Sequence, residues 1–558
     1  MFSLMTEEDK SLFLVESKQA FQGDNALDPM PRIISANEYD KKLKAGVQQR
    51  ADALRAFLQD HYSGKKSYLA AGIISKEMID RIIDRHHESG FEGKIDPNNI
   101  SFMYGPDIIR DRQGQFRVVE DNPGWIGGVG DLMLAQDYTL FRFPQLGNKS
   151  DFRDARNFYI NLANRYQERA KEKNGVSVLY MIPPYPDNED KRIRQHYADV
   201  GIPTVTPFTR LQLKTTKDGV YLYDSKDDRV APKKVGMVSL NGELHWLDPS
   251  NPENYRKLVL TTAHDGLAVV AEALKDFRIL LNQFSKPELD REKINAIAER
   301  LPYVFSAWRT KSQLHQSILD VAKKLNAEAK FAKELKNQLA STEIDLDAIK
   351  LTLKKLSLLG DLNSTMRNAQ MASQLTKLHF EGKVHFSTTP GLDFVGDKQF
   401  YMYVEKFIQF YLQQEPIIKN IETKSFANKD GSLSQRAAVT VFSNSSQYVI
   451  KKVDGRGGDS VWVGPKTKAY ELEKLRKLIA QSPTDYIYQI YTPLSRLNSN
   501  IVDIRVMADV GPSDTFVSDT PWGRGLPNDG DGKVNISRLG REVTVLVRAH
   551  LQCANLFE

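Results

Sequence analysis

Three oxygen-bearing side chains in the first quarter of the chain have the spacing of a metal site. The segment GPDIIRDRQGQFRVVEDN contains two short β-like runs joined by the polar turn DRQG, so we expect a hairpin that brings Asp107 close to Glu120 and Asn122. Strand alternation directs Glu120 and Asn122 to one face. Hard cations prefer such oxygen ligands. The pattern indicates a Mg²⁺ site beside phosphates, although an exposed polar hairpin without a metal has the same spacing.

A second segment has the composition of a phosphate-binding loop. In YVIKKVDGRGGDSVWVG, a strand carrying Lys451 is followed by a loop with Gly455, Gly457 and Gly458 and then by another strand. Glycines let backbone N–H groups approach phosphate oxygens, and a strand lysine can place a positive charge on them. The Walker pattern GxxxxGK[ST] is absent, and a glycine-rich turn without a ligand would read the same way.

A third group of side chains is suited to binding anions near the C-terminus. Asp503 and Arg505 share one face of the expected strand NIVDIRVM, and Arg524 and Asn535 follow in TPWGRG and KVNISRLG. Guanidinium groups bind phosphate oxygens bidentately and stabilise charge that develops during phosphoryl transfer. Surface salt bridges are the alternative interpretation. No GxSxG, HExxH, paired CxxC or protein-kinase pattern is present, so the sequence gives no support to hydrolase or zinc-site readings.

The composition is that of a soluble globular protein of several domains. The chain has 558 residues, 27% of them charged, and its formal net charge of +6 is small for this length. Basic and acidic residues are mixed along the chain, so nucleic acid is not an expected partner. No segment approaches the roughly 18 uninterrupted apolar residues of a membrane helix, and the acidic start does not resemble an export signal. We therefore expect a cytoplasmic protein that does not bind membranes.

Four stretches of different character must position these residues. Residues 1–150 contain an amphipathic helix within 40–65 and the hairpin, and residues 174–285 read as a small α/β domain. Residues 286–380 have nearly continuous helical periodicity and form a predicted helical insert, whose charged face is either a solvated surface or a docking site for a protein partner. Short strands return in residues 381–558.

Seven blocks of the sequence resemble the circularly permuted ATP-grasp family in the family's order. They are QQRADALRAFLQDHY with GIISKEM, GPDIIRDRQGQFRVVEDN, TTPGLDFVGDKQFYMYVEKFIQFYLQQEPI, YVIKKVDGRGGDSVWVGP, SPTDYIYQIYTPLS, VDIRV and VNISRLG. The resemblance implies an α/β (α+β) fold in which the metal-binding end precedes the nucleotide-binding end, with the helical stretch inserted between them.

The resemblance also implies roles for individual residues, with ATP and Mg²⁺ as cofactors. Asp107, Glu120 and Asn122 match the Mg²⁺ ligands, Lys398 and Lys451 the lysines at the ATP phosphates, and Gly455, Gly457 and Gly458 the phosphate-covering loop. Tyr486 to Tyr491, including Gln489, match the segment whose backbone contacts adenine. Arg505, Arg524 and Asn535 match residues at the γ-phosphate and acyl-phosphate end.

The activity implied by the resemblance is that of a carboxylate–amine ligase acting through an acyl phosphate, with small-molecule or peptide acids and amines as substrates. Two other hypotheses stay open: an ATP-dependent kinase or nucleotidyl-type transferase, and a catalytically weak ATP-binding scaffold. The chain departs from the family pattern at Ile490, where an acidic residue usually follows the glutamine, at PGWIGG after the metal ligands, and at VGMVSLNGELHWLDPSNP in the middle domain.

Overall fold

The computed structural model describes most of the chain. The described residues are 6–21, 26–86, 91–124, 126–181, 188–205, 209–241, 252–284, 286, 288–290, 294, 311–341, 343–356, 371, 373–455, 460–497, 500–527, 530–534 and 540–549. Among them, no helix has the length and apolar character needed to cross a membrane.

The N-terminal part is mainly helical. Its helices are α1 (Glu7–Ala20), α2 (Ala36–Glu38), α3 (Ala45–Tyr62), α4 (Ser67–Ala70), α5 (Lys76–Arg85), α6 (Leu132–Arg142) and α7 (Arg156–Glu172), and its strands are β1 (Arg32–Ile34), β2 (Phe102–Tyr104), β3 (Asp107–Arg110) and β4 (Phe116–Glu120). In α3 the apolar side chains recur at helical spacing, and Val47, Ala51, Leu54 and Leu58 are all buried, as the sequence predicts. They belong to the largest hydrophobic core, together with residues of β2, β3 and β4.

The middle of the chain forms a small α/β unit and a helical unit. The first contains β5 (Val176–Met181), α8 (Asn188–Asp199), β6 (Thr204–Val205), β7 (Leu211–Thr216), β8 (Gly219–Asp224) and β9 (Lys233–Asn241), and the second contains α9 (Pro252–Phe284), α10 (Lys311–Leu339) and α11 (Leu346–Lys355). Side chains of α9 such as Val259, Val270 and Leu280 pack with those of α10 and α11 in one core. The helices of this unit therefore begin earlier than the predicted insert of residues 286–380.

The far end of that predicted insert also packs elsewhere. Leu375 and Leu378 belong to the core of the small α/β unit, because residues 373–380 are helical and lie against its sheet. That sheet has the order β6-β5-β9-β8-β7, and β10 (His385–Phe386) pairs with β9 in parallel.

The C-terminal part completes the sheets. Its elements are α12 (Val404–Phe407), β11 (Lys419–Asn420), β12 (Thr423–Ser425), α13 (Gln435–Ser443), β13 (Tyr448–Lys452), β14 (Val461–Val463), α14 (Ala469–Gln481), β15 (Tyr486–Ile490), β16 (Arg496–Leu497), β17 (Asn500–Arg505), β18 (Ala508–Val510), β19 (Thr515–Val517), β20 (Trp522–Leu526), β21 (Arg541–Val543) and β22 (Val545–Val547). Strands β12-β15-β13-β14 form an antiparallel four-stranded sheet.

The two ends of the chain meet in a seven-stranded sheet. Its order is β11-β4-β3-β17-β20-β21, with β16 beside β17, so the hairpin of β3 and β4 lies next to strands from residues 500–526. The described part of the chain thus has the mixed helix-and-sheet architecture that the sequence predicts, and the sheet brings the first and third groups of candidate residues to adjacent strands.

Candidate active site

A cavity of about 510 Å³ is lined by residues of the seven-stranded and four-stranded sheets. Ten predicted site residues line it: Asp107, Glu120, Asn122, Lys398, Lys451, Gly455, Gln489, Tyr491, Arg505 and Arg524. Of the segment from Tyr486 to Tyr491, the last three residues line the cavity. Gly457, Gly458 and Asn535 lie outside the described residues. The structure therefore brings together side chains that are up to about 400 positions apart in the sequence.

The two acidic residues of the predicted metal site are direct neighbours across the hairpin. Asp107 of β3 is opposite Glu120 of β4, and the pairing shifts by one position just after Asp107. Asn122 follows β4, and its Nδ2 donates to the carbonyl oxygen of Gly105 at 3.0 Å. That bond orients the amide, so the side-chain oxygen of Asn122 is the atom available for a cation.

Two arginines hold Asp107 from the neighbouring strands. Nε and Nη2 of Arg505 donate to Oδ1 of Asp107 at 3.0 and 2.6 Å, while Nη2 of Arg524 lies 2.8 Å from Oδ2. Arg524 also binds Asp503 through two bonds of 2.9 and 2.7 Å. Burial opposes ionisation of Asp107, but the two guanidinium groups outweigh it and lower its pKa. Burial raises the pKa of Asp503, which shares Arg524 with Asp107.

Trp522 supports both guanidinium groups. The Cζ atoms of Arg505 and Arg524 lie 5.5 and 5.4 Å from the centroid of its ring, within the range of cation–π attraction. Its Nε1 donates to Oε2 of the buried Glu542 at 2.6 Å, which fixes the ring plane. The aromatic ring and the shared carboxylates together limit where the two positive charges can lie.

Two lysines occupy the other side of the cavity. Nζ of Lys398 lies 2.9 Å from Oε1 of Glu120 and donates to the carbonyl of Gly455 at the start of the glycine loop. Nζ of Lys451 donates to the carbonyl of Val119 at 3.3 Å. Burial lowers the pKa of Lys451 to about 8, and the nearby positive charge of Lys398 acts in the same direction, while Glu120 opposes it.

The segment predicted to contact adenine is the third wall. Gln489 is in β15, paired with Val449 on one side and Thr423 on the other, and its Nε2 donates to the carbonyl of Val119 at 3.3 Å. The N–H of Tyr491 donates to Gln447 at 2.7 Å. The N–H of Ile490 donates to Glu422 at 3.0 Å. Both backbone donors therefore bond to protein carbonyls.

The donor set fits a hard divalent cation beside phosphates. Two carboxylates and one amide oxygen from adjacent positions of one hairpin are the ligand types that Mg²⁺ binds. Within the described ranges, no group of three or more His, Cys, Asp and Glu side chains is arranged to hold a metal, so a metal here depends on Asn122 as the third ligand. Lys398, Lys451, Arg505 and Arg524 lie around these carboxylates, and lysine and arginine are side chains that bind phosphate oxygens.

Sequence reasoning does not identify Trp522 as part of the site or Asp503 as the partner of Arg524. The sequence places Asp503 on one face with Arg505, but its contact with Arg524 depends on the pairing of β17 with β20. Trp522 is two positions before Arg524 on one strand, so strand alternation was a signal that both face the same side.

Two family models match the chain. The model described as a circularly permuted ATP-grasp matches residues 31–250, and the one described as circularly permuted ATP-grasp type 2 matches residues 358–511. The first range contains Asp107, Glu120 and Asn122, and the second contains the two lysines, Gln489 and Arg505.

Related proteins were found over different parts of the chain. An uncharacterized protein of Mycobacterium leprae is 22% identical over 523 residues, which are 92% of this chain and 70% of that protein. An uncharacterized protein of Mycobacterium tuberculosis is 22% identical over 85% of this chain and 63% of its own length. A Frankia alni protein, provisionally named glutamate–cysteine ligase 2-3, is 30% identical over 23% of this chain and 15% of that protein.

A solved structure and the family matches complete the comparison. The structure of a glutathione synthetase like-effector from Globodera pallida in apoform aligns with a TM-score of 0.47 and 12% identity, over 97% of this chain and 98% of that chain. The two family matches between them cover the hairpin, Lys398 and Lys451, and one of the two arginines of the cavity. The chain therefore belongs to the circularly permuted ATP-grasp proteins.

Proposed function

We propose that the protein is an ATP- and Mg²⁺-dependent ligase that joins a carboxylate to an amine through an acyl phosphate. The observation that carries the proposal is the convergence of Lys398, Lys451, Arg505 and Arg524 on the Asp107–Glu120 pair in one cavity of an ATP-grasp protein. This arrangement can bind a polyphosphate at one end and stabilise a transferring phosphoryl group at the other.

Each wall of the cavity has a proposed role. Lys398, Lys451 and Gly455 contact the ATP phosphates, and the segment of Gln489 and Tyr491 holds the base. Asp107, Glu120 and Asn122 would hold Mg²⁺, which would neutralise phosphate charge. Arg505 and Arg524 bind the transferring phosphoryl group, where two guanidinium groups beside Trp522 favour the developing negative charge. Gly457, Gly458 and Asn535 lie outside the described residues, and their roles at the phosphates and the phosphoryl group rest on the family resemblance alone.

The proposed chemistry has two displacements. A carboxylate oxygen of the acid attacks the γ-phosphorus of ATP and ADP leaves; the amine nitrogen then attacks the acyl carbon, phosphate leaves, and the nitrogen loses a proton. Positioning and charge neutralisation supply most of the rate enhancement in such phosphoryl transfers, so a dedicated general base is not required. The provisional name of the Frankia relative is consistent with amino acids or peptides as the substrate class.

Thermal-shift titration with ATP, Mg²⁺ and both together tests the binding part of the proposal. Because the carboxylates are already paired with cations, we expect Mg²⁺ alone to give no shift and ATP with Mg²⁺ to give a large one. Release of ADP is then measured with panels of acids and amines, and the products are identified by mass spectrometry.

A matched pair of variants controls the experiment. Glu120→Gln removes the charge of one proposed metal ligand and should abolish ADP release, while Glu473→Gln on the exposed side of α14 should leave it unchanged. A phosphorylated or nucleotidylated acceptor without an amide bond would support the transferase hypothesis. Absence of any shift at saturating ATP and Mg²⁺ would contradict the ligase proposal and favour the scaffold hypothesis.

A further inference from the structure

Arg505 is held in part by a backbone carbonyl of a neighbouring loop. Besides its bonds to Asp107, Arg505 donates from Nη1 to the backbone carbonyl of Gly127 at 3.2 Å. This carbonyl fixes the guanidinium on the side opposite the carboxylate. The position of one of the two proposed phosphoryl-binding groups therefore depends on where residues 126–130 are held.

The loop is wedged between the aromatic support of the arginines and a helix of the small α/β unit. Gly128 has φ +92°, and a Cβ there would lie 2.2 Å from the ring of Trp522. A Cβ on Gly130 would lie 2.6 Å from the backbone oxygen of Glu189 at the start of α8. Glycines make this close approach feasible, but they also give the loop more conformational freedom to lose than other residues would.

One carboxylate of α8 holds the loop at both of these glycines. Oε1 of Glu189 accepts hydrogen bonds from the N–H of Gly128 at 2.6 Å and of Gly130 at 3.3 Å. Neighbouring contacts are made to the carbonyls, since Nε2 of His196 lies 3.2 Å from the oxygen of Gly130 and the hydroxyl of Tyr159 donates to Val129. Hydrogen bonds to a charged acceptor are stronger than neutral ones, so Glu189 makes the dominant polar contact to the loop N–H groups.

We propose that Glu189 is a positioning residue for Arg505 and acts through the glycine loop of residues 126–130. The inference rests on the proposed function for its catalytic consequence, but the chain of contacts from Glu189 to Gly128, Gly127 and Arg505 is independent of any substrate. It also gives the small α/β unit a direct role in the geometry of the phosphoryl-transfer end, because α8 packs into the same core as Trp522.

The test compares Glu189→Ala and Glu189→Gln with Glu473→Ala, an exposed glutamate of α14. Hydrogen–deuterium exchange reports on the peptide that covers residues 126–131. Modification by phenylglyoxal, an arginine reagent, is followed at Arg505 by peptide mass spectrometry. ATP with Mg²⁺ is titrated into each variant by calorimetry.

We expect Glu189→Ala to speed both loop exchange and Arg505 modification by roughly tenfold or more, since it removes the charge-assisted hydrogen bonds from Gly128 and Gly130 and one such bond alone is worth about tenfold. Glu189→Gln keeps an acceptor oxygen but loses the charge, so its two rates should lie between those of the wild type and Glu189→Ala, and Glu473→Ala should match the wild type. Faster loop exchange with unchanged Arg505 reactivity would overturn the proposal, because Glu189 would then only dock the helix.

If Glu189→Ala does not fold, Glu189→Gln tests the proposal instead. Because this variant loses the charge of Glu189, we expect a measurable rise in the rate of Arg505 modification. An unchanged rate would contradict the inference. The two proposals fail separately. Wild-type protein that does not bind ATP with Mg²⁺ would contradict the proposed function, while the exchange and modification rates would still test the link from Glu189 to Arg505.

Discussion

At the scale of single residues, the two proposed carboxylate ligands are paired with cationic side chains. Asp107 lies between Arg505 and Arg524, and Glu120 lies beside Lys398. An unpaired charge in such a buried position would be costly. In the absence of a ligand, the two members of each ion pair therefore stabilise each other. A polyphosphate with a divalent cation would exchange partners with these pairs, since the phosphates would take the lysines and arginines, and the carboxylates would take the cation.

Lys451 gives this exchange a predicted pH dependence. Burial lowers its pKa to about 8, below its ordinary value, so its charge is lost in the ligand-free protein as the pH rises through 8. Bound phosphates favour the charged form and raise that pKa, so affinity for ATP with Mg²⁺ should fall above pH 8, and binding there should take up protons.

Calorimetry in buffers of different ionisation enthalpy measures this proton uptake. Lys451→Arg keeps the positive charge at all relevant pH values and should remove the uptake between pH 7 and 9. Lys452→Arg on the adjacent, partly exposed position is the control and should keep it. Equal proton uptake by wild type and Lys451→Arg would show that another group titrates on binding.

At the scale of elements, the glycine loop is held by sterics as well as by hydrogen bonds. Gly128→Ala introduces a Cβ that would overlap the ring of Trp522, and its positive φ is disfavoured for any residue with a Cβ. Gly201 has a similar φ of +81°, but no atom lies within 4 Å of its Cβ position. Comparing an Ala variant at each position therefore separates the cost of backbone strain from the cost of steric overlap.

Urea unfolding of Gly128→Ala and Gly201→Ala measures the difference. In both variants the free energy of unfolding should fall by roughly 1–2 kcal/mol, because a residue with a Cβ is strained in a left-handed conformation. Gly128→Ala should lose about 1–3 kcal/mol more, because overpacking a buried site forces neighbours to move. Equal losses in the two variants would mean that the loop can move away from Trp522 at little cost.

Elements with a local signal could be predicted, and contacts between distant elements could not. The hairpin of β3 and β4 was predicted because its turn and its alternation lie within about twenty residues. The pairing of Arg505 with Asp107 needs β17 beside β3, which no periodicity encodes. For the same reason the sequence did not separate α9 from the small α/β domain, since a helix of 33 residues reads the same whichever core it packs on.

At the scale of the whole molecule, the helical unit is separate from the cavity. Its core contains residues of α9, α10 and α11, such as Val259, Val321 and Leu353, and among the described residues none that lines the cavity comes from these helices. The small α/β unit is different, because Leu240 and the loop held by α8 reach the cavity. In the described part of the chain, the cavity is thus lined by strands and loops, and the three helices do not contribute to its lining.

Replacing residues 252–356 with a flexible Gly/Ser linker tests this division. We expect the shortened protein to keep a thermal shift with ATP and Mg²⁺ and to bind them with an affinity within about twofold of the wild type, because the length of a surface connection has little effect on the free energy of folding. Circular dichroism should show a loss of helix with the strand signal retained. If the shortened protein folds but no longer binds ATP with Mg²⁺, the helices contribute to the nucleotide site, and a protein partner docked on them could then regulate binding directly.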